Sequence, residues 1–488
     1  MIFNFNNIIW LKIMKSISKN YLYNLSYQLL TLLTPLITTP YIARTLGVNA
    51  IGEYSFSFSI VAYFVLLAQF GITSYAQREI AYHQNDKSEQ SRIFFEVISF
   101  QLLTVSISLT AYYLLGKLWH IDSLIYWIQA LNILAILFDV SWFFQGLEEF
   151  GKIVFRNFVI RFVNIALLFI LIKAPDDLIL YTFIMGGMNV VSGIFICLFL
   201  TDYIHKVPLK EIHPFRNWKT IFQLFLPQIA IQIYVVMDKT MLGFFTDVYT
   251  ENGYYEQADK IIKLLLTIAT SLGTVMLPRI AATVAKGEME TVRKYMMVSY
   301  RFSFFITIPM CLGLIVTAPN FVPWFFGTGY EPVAGLLTVI SSMLIAVALS
   351  NVTGIQFMLP MNRQNQLTLS VFIGAIFNFV INLYLIPHYF SIGVAIATML
   401  TEWLVTVVQF YLVRDFFYVR EILLQGKNYL ISGSIMLVVT WLLSIQLSSS
   451  IINTLLIISV GSVVYAGILL VIKDQILLML INKIKENV

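Results

Sequence analysis

The sequence predicts an all-α integral membrane protein of about fourteen transmembrane helices: two six-helix lobes related by a parallel internal repeat, plus two C-terminal helices. Three observations predict this. Of 488 residues, 59% are hydrophobic and 12% charged, whereas about a quarter of a soluble domain is charged. Fourteen apolar runs each approach the roughly twenty residues that cross a bilayer as a helix. A short charged pattern also occurs twice, as in transporters built from paired halves.

The runs cover 20–42, 51–76, 93–115, 123–144, 153–172 and 178–200 in the first half. After the basic connection 202–219 they cover 221–245, 254–277, 296–317, 333–357, 367–386 and 392–413. A second charged connection precedes 429–447 and 451–472. The expected divisions are therefore an N-lobe over 1–201, a cytoplasmic connection over 202–219, a C-lobe over 220–413, and two final helices with a cytoplasmic tail over 414–488. The last two helices carry no charge between Lys427 and Lys473 and are expected at the periphery. Pro35, Pro40, Pro227 and Pro309 lie inside runs; each kinks a span, serving as a bending point or simply tolerated as membrane helices tolerate proline.

Cations set the orientation, because loops retained in the cytoplasm keep an excess of Lys and Arg. Of 31 Lys and Arg, 23 fall in the tails and even-numbered connections, counting with its connection Arg156 at the inner edge of the fifth run, three outside (Arg44, Lys117, Lys173) and five within helices (Arg161, Lys239, Lys260, Lys263, Arg301). Both termini are thus expected in the cytoplasm. The net charge of +5 reflects this loop bias and is no nucleic-acid footprint. Segment 1–20, interrupted by Lys12, Lys15 and Lys19, reads as a piece lying along the inner interface. Cys197 and Cys311 fall in apolar runs and imply neither disulfide nor metal.

The repeat is carried by Arg44, Thr45, Leu46 and Gly47 with Gly52, Glu53 and Tyr54, against Lys239, Thr240, Met241, Leu242 and Gly243 with Gly253, Tyr254 and Tyr255. It continues through Gly71 and Arg78 against Gly273 and Arg279, at offsets of about 195 to 202. Because six helices is an even number, both copies enter the membrane from the same side. The halves are then related by an axis along the membrane normal.

An ionised group at bilayer depth costs on the order of 3 kcal/mol even on lenient scales, so each needs a partner or a wet cavity. Arg161 approaches mid-depth in the fifth run, with Asp139 of the fourth as a candidate partner, either as a structural pair or as cavity lining. In the eighth run Glu256 and Lys260, and Asp259 and Lys263, are acid-first pairs four apart. They either neutralise each other or, with Asp238, Lys239, Arg44 and Glu53, ring the outward mouth of one cavity. Glu402, near the middle of the twelfth run, has no obvious local partner and reads as a proton-coupling or silent carboxyl. Arg301 enters the ninth run by only a few residues and can snorkel to the inner surface. Gly146, Gly151 and Lys152 match phosphate-loop spacing, but Ile153 replaces the required hydroxyl. The five His are scattered, and no zinc or hydrolase constellation can be argued.

Two segments resemble a family. Pro40 to Gly47 with Gly52 and Tyr54 is similar to the first-helix signature of polysaccharide and O-antigen repeat-unit flippases, the Wzx type within the multidrug/oligosaccharidyl-lipid/polysaccharide exporter superfamily. Trp142 to Phe150, leading to Arg156 and Asn157, resembles the segment joining helices four and five there. The resemblance implies a non-enzyme of the bacterial cytoplasmic membrane that flips an undecaprenyl-pyrophosphate-linked oligosaccharide from inner to outer leaflet by alternating access. It implies no cofactor beyond proton or sodium coupling. The partners implied are the lipid-linked substrate, the bilayer, a polysaccharide polymerase and a chain-length regulator.

By the same resemblance Arg44, Arg161, Lys239, Lys260 and Lys263 would meet the pyrophosphate or sugars. Glu53, Asp139, Asp238, Asp259 and Glu402 would balance them or couple to cations, and Tyr54, Tyr254 and Tyr255 could stack on sugars. Rival readings are a lipid II flippase, a multidrug extruder of the same superfamily, and a non-transporting scaffold of a glycan-assembly complex.

Overall fold

Every apolar run becomes helix, and what shapes the fold is where those helices break. The computed structural model describes the backbone of residues 2–486 except 122 and 247. Their side chains are described apart from 2–30, 32, 227, 230, 231, 233, 234, 274, 480 and 483–486. The expectations for segment 1–20 and for Pro227 therefore lie outside the described residues.

α1 (Ile2–Gln69) runs through Pro35 and Pro40 and is hinged at Gly47, whose φ of 80° and ψ of 168° are not helical. Unhinged, its 68 residues would extend roughly 100 Å at about 1.5 Å each, three times the hydrocarbon core. The hinge separates the first two expected spans. Phe70 and Gly71, with φ of 42° and 76°, end α1, and α2 (Ile72–Tyr82) follows. Only glycine suits position 71: a Cβ there would lie 2.7 Å from the Ile221 carbonyl oxygen and 2.8 Å from the Phe225 amide nitrogen. The second run, expected over 51–76, thus breaks at Phe70.

α3 (Lys87–Leu118) is capped by Asp86, which accepts from the amides of Ser88 and Glu89. α4 (Leu124–Phe138) and α5 (Ser141–Gly146) are one expected span broken at Asp139 and Val140. The Asp139 carboxylate accepts from the Ser141 amide at 3.1 Å, drawing the backbone out of the helical ladder. α6 (Phe150–Leu171) and α7 (Leu178–Cys197) complete this group. Trp142, Phe143 and Phe144 are buried among Ile72, Ile80, Phe100 and Ile196, so the aromatic run of the family-like segment anchors α5 under α2 and α3.

α8 (Trp218–Phe245) is followed by α9 (Thr250–Ala285), α10 (Met289–Phe326), α11 (Glu331–Ile340) and α12 (Met343–Asn351), the last continuing as a π-helical turn over Val352–Met358. α13 (Gln364–Leu412) is hinged at Phe390 (φ 50°, ψ −130°), which separates the eleventh and twelfth expected spans. The amide and hydroxyl of Ser391 both donate to Glu251, fixing that hinge against α9. α14 (Val419–Gln425), α15 (Lys427–Ser444), α16 (Ile451–Val471) and α17 (Gln475–Glu486) end the chain.

Among the described residues nine helices are long and apolar enough to cross a membrane, or eleven when each of two bent pairs counts as one span. Two of the nine, Leu33–Tyr82 and Gln364–Leu412, are the hinged helices. The chain is an all-helical, multi-pass membrane protein.

Its contacts divide into two compact units, Met1–Val236 and Met237–Val488, a division that falls inside α8. In the first, α1 packs on α3, α4 and α6, and α4 on α7. In the second, α10 is the hub, packing on α9, α11, α12, α15 and α16. The final pair is therefore seated on α10. Asp474, its side chain fully buried, accepts from Tyr429 at 2.9 Å and pairs with Arg301 at 3.3 Å. Its other oxygen caps α17 through the amides of Ile476 and Leu477. Arg301, read from sequence as structural or lipid-facing, is accordingly a structural tie between α10 and the start of α17.

Candidate substrate and coupling sites

The densest charge in the second unit stands on α8 and α9. Lys239 lies 2.7 Å from both Glu256 and Asp259. Glu256 also holds Lys260 at 3.2 Å, and Asp259 holds Lys263 at 2.8 Å. The two acid-first pairs read from the sequence are thus formed, and Lys239 joins them into one ladder of three cations and two anions. Its members differ in access: the side chains of Lys239, Glu256 and Asp259 are 12 to 15% exposed, against 35% for Lys260 and 52% for Lys263. The ladder carries one net positive charge, displayed on its two accessible lysines.

Asp238, the neighbour of Lys239, turns into the unit instead. It is 6% exposed and accepts from Thr398 at 2.7 Å, Tyr255 at 2.9 Å and Asn382 at 2.7 Å. Asn382 also donates to Asn378 at 3.0 Å. The hinge at Phe390 brings Asn378 and Asn382 on one arm of α13 and Thr398 on the other around this carboxylate. Oxygens dominate the cluster, which suits a bound proton or small hard cation. Tyr255 is committed here, 4% exposed, so it does not present a ring for sugar stacking. Sequence reading missed Asn378, Asn382 and Thr398, although two asparagines four apart in an apolar run were the available signal.

In the first unit Asp139 pairs with Arg156 at 3.7 Å, not with Arg161 as expected. Arg156 donates to Ser141 at 2.8 Å, and Ser141 donates to Asp139, so the break between α4 and α5 positions the pair. Arg156, counted from sequence with a loop, is 9% exposed. Arg161 reaches Thr31 at 3.3 Å. Glu53 accepts from Ser123 at 3.2 Å, and Arg44 is exposed one turn before the Gly47 hinge. Tyr54 packs edge-on against Tyr181, with centroids 5.0 Å apart. Glu402, on α13, is half-buried and takes part in interactions. Among the described residues no three His, Cys, Asp or Glu side chains gather as a metal cluster.

Comparison with known proteins places this architecture. The chain is 26% identical over 407 residues to a protein of Escherichia coli (strain K12) named "Putative O-antigen transporter", covering 82% of this chain and 97% of that one. Among solved structures it matches the lipid II flippase MurJ in an inward closed conformation, with a TM-score of 0.73 and 16% identity over 93% of this chain and all of the other. It also matches an inward-facing multidrug resistance MATE family transporter of the MOP superfamily, with a TM-score of 0.64 and 15% identity over 81% of this chain and 96% of the other. At such identities the two structures establish a shared fold. The family described as polysaccharide biosynthesis protein matches residues 17–284, more than half of the chain and including both segments that first suggested it, and the chain belongs to that family.

Proposed function

We propose that this protein flips undecaprenyl-pyrophosphate-linked oligosaccharide repeat units from the inner to the outer leaflet of the bacterial cytoplasmic membrane by alternating access, supplying surface polysaccharide synthesis. Family membership and the relative named as an O-antigen transporter support the substrate class. The observation that carries the chemistry is the ladder on α8 and α9. A pyrophosphate needs mobile cations in a site of reduced dielectric, and Lys260 and Lys263 supply them while Glu256 and Asp259 keep Lys239 in place. Arg44 and Arg161 are the first unit's candidate substrate cations. Asp238 is the coupling group for protons or sodium, with Glu53, Asp139, Asp259 and Glu402 balancing charge. Both termini lie in the cytoplasm, and a polysaccharide polymerase and a chain-length regulator of the same pathway are functional partners. The likeness to a lipid II flippase carries the fold alone at 16% identity and does not favour that substrate.

Depletion in a strain exporting one surface polysaccharide tests this reading. Lipid-linked oligosaccharide should accumulate on the cytoplasmic leaflet while polymer outside is lost. Unchanged pools of both, with no redundant exporter, would overturn it.

A further inference from the structure

The break between α4 and α5 leaves something that the Asp139–Arg156 pair does not use. Asp139, Gln101, Gln69, Thr73, Ile72 and Ile136 line one small cavity of about 10 Å³, room for a single water-sized occupant. Gln101 is 2% exposed. Its amide nitrogen donates to the Ile136 carbonyl, which orients the side chain and leaves the amide oxygen buried without a partner among the described residues. An orphaned buried acceptor is destabilising unless something fills the space in front of it. Asp139 is similarly half used. Its Oδ1 accepts from the amide and hydroxyl of Ser141 and faces Arg156, while among the described residues no hydrogen bond reaches Oδ2 and the side chain is 47% exposed.

The surrounding backbone brings helix ends of both signs: α1 ends at Gln69 and α4 at Phe138, while α2 begins at Ile72 and α5 at Ser141. The dipoles of these ends oppose one another, so the side-chain oxygens, not the backbone field, carry the site. Arg156 stands nearby, and its guanidinium is engaged by Ser141 and Asn157.

We infer that this cavity binds one small monovalent cation, sodium, with Asp139 Oδ2, Gln101 Oε1 and the Thr73 hydroxyl as protein ligands. The site belongs to the first unit alone and is separate from Asp238. It deepens the balancing role proposed above for Asp139, and because its readout is binding it can fail or succeed independently of transport.

The test is sodium-dependent stabilisation of the purified full-length protein in detergent. The melting temperature is followed as NaCl replaces choline chloride at constant ionic strength, with ²²Na⁺ binding measured in parallel. To silence the second unit's carboxylate, Asp238→Asn is the parent. It is expected to keep a saturable sodium response that Gln101→Leu and Asp139→Asn, each added to it, abolish. Gln101→Leu preserves volume and leaves the Arg156 pair intact, so it carries the test should Asp139→Asn fold poorly. A response retained with Gln101→Leu, or no sodium response in the parent, overturns the site.

Discussion

Lys239 and its neighbours on α9 look alike in sequence and are expected to behave differently. Lys239 is shielded and shared by two carboxylates, so Lys239→Ala leaves both without their central cation. Removing one member of a buried pair costs about 3 to 5 kcal/mol, and thermal unfolding in detergent should show a loss of that order. Lys260→Ala or Lys263→Ala each removes an accessible partner, worth at most about 1 kcal/mol, and stability should scarcely move. The double variant Lys260→Ala with Lys263→Ala should nonetheless abolish accumulation of surface polymer at normal protein abundance. Retained export would make those lysines a local neutralising device. Asp238→Asn preserves shape and an acceptor for Tyr255 and Thr398, so the fold should survive while the dependence of export on an imposed sodium or proton gradient is lost.

At the level of elements, the connections outside the membrane hold the helices to one another through few contacts. Arg363, just before α13, donates to both oxygens of Asp415, just after it, and this hydrogen bonding holds the Asp415 carboxyl below the usual carboxylate range. A lowered folded-state pKa means that the pair's stabilisation is complete above the unfolded value near 4 and is lost as pH falls through the lowered one. With the carboxylate 56% exposed, the contribution is about 1 kcal/mol at most. The difference in melting temperature between the wild type and Arg363→Gln should be flat from about pH 8 to 5 and shrink only in stronger acid. Most helices were legible in the sequence because twenty apolar residues in a row leave little alternative. The breaks were not. Asp139 reads from sequence as a membrane charge in want of a partner, and only the Ser141 amide shows it to be what ends α4. Asn378 and Thr398 stand twenty residues apart, and the strained Phe390, unremarkable in sequence, sets them opposite one another around Asp238. Arg156 was counted with a loop because it stands only three residues inside the run that begins at Ile153, at its inner edge.

For the whole molecule, the proposed orientation is open to direct test. In a background lacking Cys197 and Cys311, a cysteine in place of exposed Asp176 should react with an impermeant maleimide in intact cells. One in place of exposed Ser88 should react only after permeabilisation. The reverse pattern would invert the molecule and with it the direction of transport. The tie at Asp474 bears on how such a molecule comes into being. Arg301 lies 173 residues ahead of its carboxylate partner, roughly 10 to 35 s of synthesis at about 5 to 20 residues per second. For that interval the nascent second unit holds a membrane-edge guanidinium whose counter-charge has not yet left the ribosome, so its maturation waits for the connection between α16 and α17 and does not end with the sixth helix of the repeat. A chain stopped after Ile472 should insert yet be cleared by membrane proteases, a fate measurable by pulse-chase.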